Sequence, residues 1–222
     1  MKKYLNKKYV IAGILTVIAL IYIVIVKTVD VAAVGPMDTK VGLSHINVAM
    51  HEATGVNMGW YDLTDWLGIL SILVGCMFAL AGLLQAINRK SIWKLDREIY
   101  ALGGLYVVMA ALYVLFEKVI VNYRPIIMPD AAEPEASFPS SHTMLVCVIM
   151  GSAIMMIDRF IDNAKAASIC KVVFAVILTL TVAGRLISGV HWLSDIIGGI
   201  LISAALLMWF GAVVNGSAGS DL

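Results

Sequence analysis

Apolar residues in this chain do not alternate with polar ones. They come in runs long enough to cross a bilayer, separated by short polar connections rich in Pro, Gly and charge. About 20 apolar residues cover about 30 Å of hydrocarbon. That measure predicts six spans, over about 9–27, 66–87, 99–120, 141–158, 169–187 and 192–213. No stretch carries the two-residue alternation of a half-buried strand. The predicted fold is therefore all-α: a polytopic membrane helical bundle forming one domain over 1–222. The connection 28–65 is far longer than the usual link of about 2–8 residues. Within it, Val41 to His51 has apolar residues at helical spacing, which predicts a short interfacial helix. The tail from Asn215 to Leu222 is expected to fray.

Composition supports the bilayer reading. Of 222 residues, 61% are hydrophobic and 14% charged, and mean hydropathy is +0.92, a balance that excludes a soluble domain. A net charge of +1 with no basic stripe argues against nucleic acid as a partner. Cys76, Cys147 and Cys170 lie in or beside apolar runs without ligand spacing, so they are expected to be small buried hydrophobes. The basic N-terminus precedes an apolar run too long for a signal peptide and without a cleavage site, so it is read as a retained span.

Charge then predicts orientation. One set of helix ends carries Lys2, Lys3, Lys7, Lys8, Arg89, Lys90, Lys94, Arg97, Arg159, Lys165 and Lys171, which is 11 of the 16 basic residues. The other carries Lys27, Lys40, Lys118, Arg124 and Arg185. The positive-inside rule makes the first set cytoplasmic. Both termini are then inside, and 28–65, 121–140 and 188–191 face out.

Three polar motifs fall at that outer face. Ionisable residues at the rim of spans are functional candidates, because charge is costly in a membrane. His191 and Asp195 are four apart at the start of the sixth span and are expected to share a helix face. The Asp can fix one imidazole nitrogen and free the other. Arg185 ends the fifth span and is expected nearby, with a guanidinium suited to phosphate. Pro139-Ser140-Ser141-His142 opens the fourth span. Its free N–H groups and two hydroxyls are expected to face outward as an anion site, with His142 able to protonate a leaving oxygen. Arg124-Pro125 ends the third span. Taken singly, each motif also fits a plain membrane role: a snorkelling Arg, a Ser cap, an interface anchor. Together they describe an anion site with a nucleophile and an acid but no set of metal ligands and no cofactor motif, which points to phosphoryl transfer through a phosphohistidine. His45 and His51, six apart in the long loop, are read as solvated.

These stretches resemble the three-part signature of the type-2 phosphatidic acid phosphatase superfamily: Lys-x6-Arg-Pro, Pro-Ser-Gly-His and Ser-Arg-x5-His-x3-Asp. The resemblance spans 118–195. It implies that His191 is the nucleophile, Asp195 its orienter and His142 the acid. It also implies that Arg124, Arg185, Ser140, Ser141 and Lys118 bind phosphate. Ser141 stands where the family has Gly, and Gly184 where it has Ser. Lys118 is one residue too close to Arg124. At about 100° per residue, positions six apart diverge by about 120° and positions seven apart nearly coincide. The residue seven before Arg124 is Glu117. The favoured expectation turns Glu117 away and lets Lys118 reach the site.

The implied function is a metal-independent, multi-pass cell-membrane phosphatase acting on the extracytoplasmic face. Its partner would be a lipid phosphate or isoprenoid diphosphate: undecaprenyl diphosphate, phosphatidic acid or phosphatidylglycerol phosphate. A lipid phosphotransferase with the same site, or a non-catalytic transporter or structural protein, stays open at this stage.

Overall fold

The computed structural model describes residues 2–215. Six helices are long and apolar enough to cross a membrane. They are α1 (Lys2–Thr28), α3 (Met58–Asn88), α4 (Arg97–Lys118), α5 (Ser141–Met156) together with the 3-10 turn Ile157–Arg159 that continues it, α6 (Ala164–Ile187) and α7 (Leu193–Asn215), with the short α2 (Ser44–Thr54) lying between α1 and α3. The expected interfacial helix is thus present. The expectation for the tail after Asn215 lies outside the described residues.

α5 is the hub. It packs on α3, α4, α6 and α7, and Met144, Val146, Cys147, Val148, Ile149 and Met150 are all buried. Close packing on α7 depends on small residues. A Cβ at Gly199 would sit 3.0 Å from Thr143 Cγ2, and one at Gly198 would sit 2.4 Å from the Phe138 ring. Interfaces of this kind replace the hydrophobic effect as the source of helix association in lipid. The outer helices instead expose large apolar side chains, such as Val10 and Ile14 on α1, Leu73 and Met77 on α3, and Val172 on α6. A soluble protein would not carry so broad an apolar surface.

Three expectations change. First, α3 begins at Met58 rather than near 66, because Asn57 caps it by accepting from Trp60 N at 3.2 Å. Polar Asp62 and Asp65 had hidden its first two turns from a hydropathy reading. Second, the long connection does contain strands. Ala32–Ala33 (β1) pairs antiparallel with Lys40–Val41 (β2), across a turn that includes Pro36. Third, the cysteines differ: Cys147 is buried but Cys76 is exposed on an outer helix.

Beyond the hairpin, Asp30 serves the start of α2. Its carboxylate accepts from His45 N at 2.9 Å and Ser44 Oγ at 3.0 Å, and lies 2.6 Å from His45 Nδ1. These bonds, the His45 backbone N–H first, hold the Asp30 carboxyl below its usual range. His51 is not a solvated histidine. Its ring packs edge-on to Trp192 at 5.5 Å, and burial pushes its pKa down. α2 is thereby clamped over the start of α7.

Candidate active site

The ends of α1, α4 and α6 and the starts of α3, α5 and α7 meet at one end of the bundle. Tyr22 Oη donates to Ser194 O (3.2 Å), Lys27 Nζ to Ile120 O (3.0 Å) and Asn57 N to Ser188 O (3.0 Å). Ser140 N donates to Asp195 O (3.1 Å) and Ser137 N to Asn122 O (2.9 Å), and these two bonds draw the three sequence motifs together.

His191 is not on a helix. It sits in the turn after Ser188-Gly189, two residues before α7. Gly189 has φ +67°, and a Cβ there would lie 2.0 Å from Gly55 O. Only glycine allows this turn beneath the Gly55 corner. Asp195 lies in the first turn of α7, and its Oδ2 accepts from Trp192 N at 2.9 Å. The expected shared helix face is therefore replaced by a turn and a cap. His191 Nδ1 lies 3.7 Å from Asp195 Oδ2, too far for a direct hydrogen bond.

Ser137 bridges them. Its Oγ donates to Asp195 Oδ2 in a short hydrogen bond and stands 3.3 Å from His191 Nδ1. With that proton committed to the carboxylate, Ser137 Oγ accepts from an Nδ1–H. The imidazole then keeps its lone pair on Nε2, beside Arg124 Nη1 at 3.5 Å. Burial, then the guanidiniums of Arg124 and Arg185, hold the His191 pKa well below its usual value. The ring is neutral at pH 7, as a nucleophile must be.

Behind Asp195 lies a buried polar network. Asn122 Nδ2 donates to Ser194 Oγ (3.2 Å) and approaches Asp195 Oδ1 (3.5 Å), while its Oδ1 accepts from Gly42 N (2.9 Å). Asn47 exchanges bonds with Ser194, giving from Nδ2 to Oγ (2.9 Å) and accepting at Oδ1 from N (3.0 Å). A buried network satisfied in this way fixes one geometry.

Arg124 is set by an isolated bridge between Tyr123 and Ala136, and its backbone N–H donates to Glu135 O at 3.0 Å. Its Nη1 donates to Val190 O at 3.4 Å, and its Nε lies 3.1 Å from Glu135 Oε2.

His142 and Arg185 form the other half. His142 Nε2 lies 3.2 Å from Asp65 Oδ1, and that same oxygen accepts from Arg185 Nη2. Arg185 is 1% exposed, and its guanidinium carbon sits 4.7 Å over the Tyr61 ring. Arg185 thus stands on the His142 side of the site and reaches His191 through its field.

Two clefts open here. A small one of about 30 Å³ is bordered by Glu117, Arg124, Ser137, Ser141 and His191. An apolar one of about 430 Å³ between α3 and α4 is bordered by Asp65, Ile69, Met109, Ser141 and His142. Ser141 borders both. Ser140 does not face out as expected. It is fully buried, its N–H donates to Asp195 O (3.1 Å), and its hydroxyl accepts from Thr143 Oγ1 (3.1 Å). Ser140 therefore ties α5 to α7 rather than opening onto a ligand.

The expectation for Glu117 and Lys118 is reversed. α4 ends at Lys118, six residues before Arg124, so Glu117 and Arg124 share no helix face. Glu117 nevertheless borders the small cleft together with Arg124. Lys118 is exposed and borders neither cleft. Gly184 also gains a reason: a Cβ there would meet Thr64 Cγ2 at 2.5 Å and the Trp60 ring at 3.0 Å.

Asp65, Tyr61, Ser137, Asn122, Asn47 and Ser194 were not anticipated. Asn57, just before Met58-Gly59-Trp60-Tyr61, is a capping signal that could have extended α3 backward over Tyr61 and Asp65. Nothing in the local sequence marks Ser137 or the asparagines.

Among curated proteins no sequence matches this chain. Among solved structures, one similar in fold is a crystal structure described as the first transmembrane PAP2 type phosphatidylglycerolphosphate phosphatase from Bacillus subtilis. The TM-score is 0.66 at 16% identity, covering 94% of this chain and 98% of that one. Residues 105–217, just over half of the chain, match the PAP2 superfamily. With three motifs gathered at one end of a six-span bundle, this chain belongs to the PAP2 superfamily and is a multi-pass membrane lipid phosphate phosphatase of that metal-independent type.

Proposed function

We propose that the chain hydrolyses a lipid phosphomonoester or pyrophosphate at the extracytoplasmic leaflet, through a phosphohistidine on His191. The observation that carries this is the His191–Ser137–Asp195 chain, which leaves Nε2 unprotonated beside Arg124. Arg124, Arg185 and Ser141 surround the place a phosphate would occupy, and the N–H groups opening α5 add to its anion field. Nε2 attacks phosphorus, and the bond to the leaving oxygen breaks. His142 gives that oxygen its proton, releasing a lipid alcohol or a lipid monophosphate. His142, now neutral, takes a proton from water, whose oxygen attacks the phosphohistidine and frees inorganic phosphate. The apolar cleft between α3 and α4 suits the lipid chain.

An isoprenoid diphosphate is the first substrate to test, since an extracytoplasmic site reaches the head group left at that leaflet. Phosphatidylglycerol phosphate is the second reading, favoured by the structural likeness above. Purified protein is to be assayed with chelator against undecaprenyl diphosphate, phosphatidic acid and phosphatidylglycerol phosphate. Release of inorganic phosphate from one of them supports the proposal. Transfer to an alcohol acceptor without release, or no turnover of any, contradicts it. Orientation rests on the 11-to-5 split of basic residues. With the native cysteines replaced, Asp130→Cys should react with an impermeant thiol reagent in intact cells and Ile92→Cys should not. The reverse pattern places the site inside.

A further inference from the structure

We propose that Asp65 is a positioning residue for the reaction: one of its carboxylate oxygens seats both the acid His142 and the phosphate-binding Arg185. This rests on the reading of His142 as the acid. Asp65 lies on α3, outside all three signature motifs. It nevertheless lies at the centre of one half of the site, with Oδ1 3.2 Å from His142 Nε2 and accepting from Arg185 Nη2.

Three observations on different helices support the role. The edge of the His142 ring bearing Cδ2 and Nε2 rests on α3, where a Cβ at Gly68 would lie 2.9 Å from Cδ2. The absence of a side chain at Gly68 lets the ring reach the carboxylate one turn earlier. With Nε2 held there, Nδ1 is the nitrogen left to hand a proton to the leaving oxygen; among the described residues it has no hydrogen-bond partner. Second, Arg185 is buried to 1% and its Nε has no partner. A guanidinium this dry needs a counter-charge when no phosphate is bound, and Asp65 supplies it while Tyr61 covers the cation's face. Third, the geometry repeats the logic of the other half. His191 is held at Nδ1 through Ser137 by Asp195, and His142 is held at Nε2 by Asp65. Each histidine has one nitrogen fixed by a carboxylate and the other free for chemistry.

The titratable and charged groups facing His142 are Asp65 from α3, Arg185 from α6, and Arg124 and the neutral His191 from the loops. Asp65 is the sole anion among them. Loss of its charge should therefore impair proton donation rather than phosphate capture. When phosphate enters, Arg185 Nη2 is shared between phosphate and Asp65, so removing the carboxylate does not weaken phosphate binding.

The test is leaving-group dependence, which a purely structural residue would not alter. An alkyl phosphate needs its leaving oxygen protonated; 2,4-dinitrophenyl phosphate does not. Asp65→Asn, close in shape, should lower kcat for the alkyl phosphate by about 10²-fold, the lower range for general acid catalysis. KM should stay level or fall, and dinitrophenyl phosphate turnover should stay within a few-fold. Asp65→Glu should recover most of the loss, and Asp65→Asn added to His142→Ala should cost nothing further. Equal loss on both substrates, no loss on either, or failure of Asp65→Glu to recover activity would overturn the proposal. The parent reading fails separately: His142→Ala without leaving-group dependence removes His142 as the acid, and His191→Ala with full turnover removes the phosphohistidine.

Discussion

Ser137 offers the sharpest test of how the nucleophile is held. The direct His191–Asp195 distance is 3.7 Å. The carboxylate can act on the imidazole at hydrogen-bond range only through the Ser137 hydroxyl, 3.3 Å from Nδ1 and bonded to Asp195 Oδ2. Ser137→Ala removes that link and little else. Asp195 keeps the Trp192 N–H at 2.9 Å, and the serine is 2% exposed, so the smaller alanine fits. A hydrogen bond to a charged group is worth about 1.5–3 kcal/mol. At about 1.4 kcal/mol per tenfold, kcat should fall roughly 10- to 150-fold. Asp195→Asn should cost more, about 10²–10⁴-fold by analogy with other tautomer-fixing aspartates. The double variant should be no worse than Asp195→Asn, because both changes cut one chain. The assay is phosphate release at saturating substrate, with thermal stability measured alongside. A Ser137→Ala enzyme with wild-type kcat would mean that His191 and Asp195 close the gap unaided, and the relay would be refuted.

Three further outcomes follow from the geometry. Lys118→Ala should leave kcat/KM within a few-fold of wild type, since Lys118 borders neither cleft, whereas Arg124→Ala should abolish turnover; a 10²-fold or greater loss for Lys118→Ala would return it to the site. Burial and two guanidiniums depress the His191 pKa, so phosphoenzyme formation should persist as pH falls through the ordinary histidine value of about 6.5. The same shift means that folded-state stability from neutral His191 is fully present above the unfolded value and is lost as pH falls toward the depressed one; an acid limb centred on the unperturbed histidine value would contradict this. Gly184→Ser, which restores the family residue, should destabilise the fold by about 1–3 kcal/mol through overpacking against Thr64 and Trp60, read as a lowered melting temperature in detergent.

The spans were legible because the bilayer enforces a simple rule on hydropathy and length, and the candidate histidines because ionisable groups at a span rim are rare. The rest was hidden where tertiary contact overrode a local pattern. Asp65 sat in a segment too polar to read as membrane, although Asn57 caps a helix that carries it to His142. The four-residue spacing of His191 and Asp195 suggested a shared helix face, yet α7 starts only at Leu193 and the pair meets through a turn and Ser137. Helical angles could not place Glu117 and Lys118 relative to Arg124, because α4 ends at Lys118 and Arg124 sits beside the Tyr123–Ala136 bridge. The chain does leave the helix before Pro125, directly after Lys118, yet Glu117 rather than Lys118 borders the small cleft. Asn47 and Asn122 are 75 residues apart in sequence and converge on Ser194 only in the folded bundle.

The account's central claim is a covalent phosphate on His191 Nε2. Protein quenched in alkali within its first turnover of labelled lipid phosphate, then digested and mapped, should carry acid-labile phosphate on the peptide containing His191. His191→Ala should carry none, and His142→Ala should carry it with activated substrates. Label retained by His191→Ala, or first-turnover phosphate release with no labelled intermediate in any variant, would contradict the account.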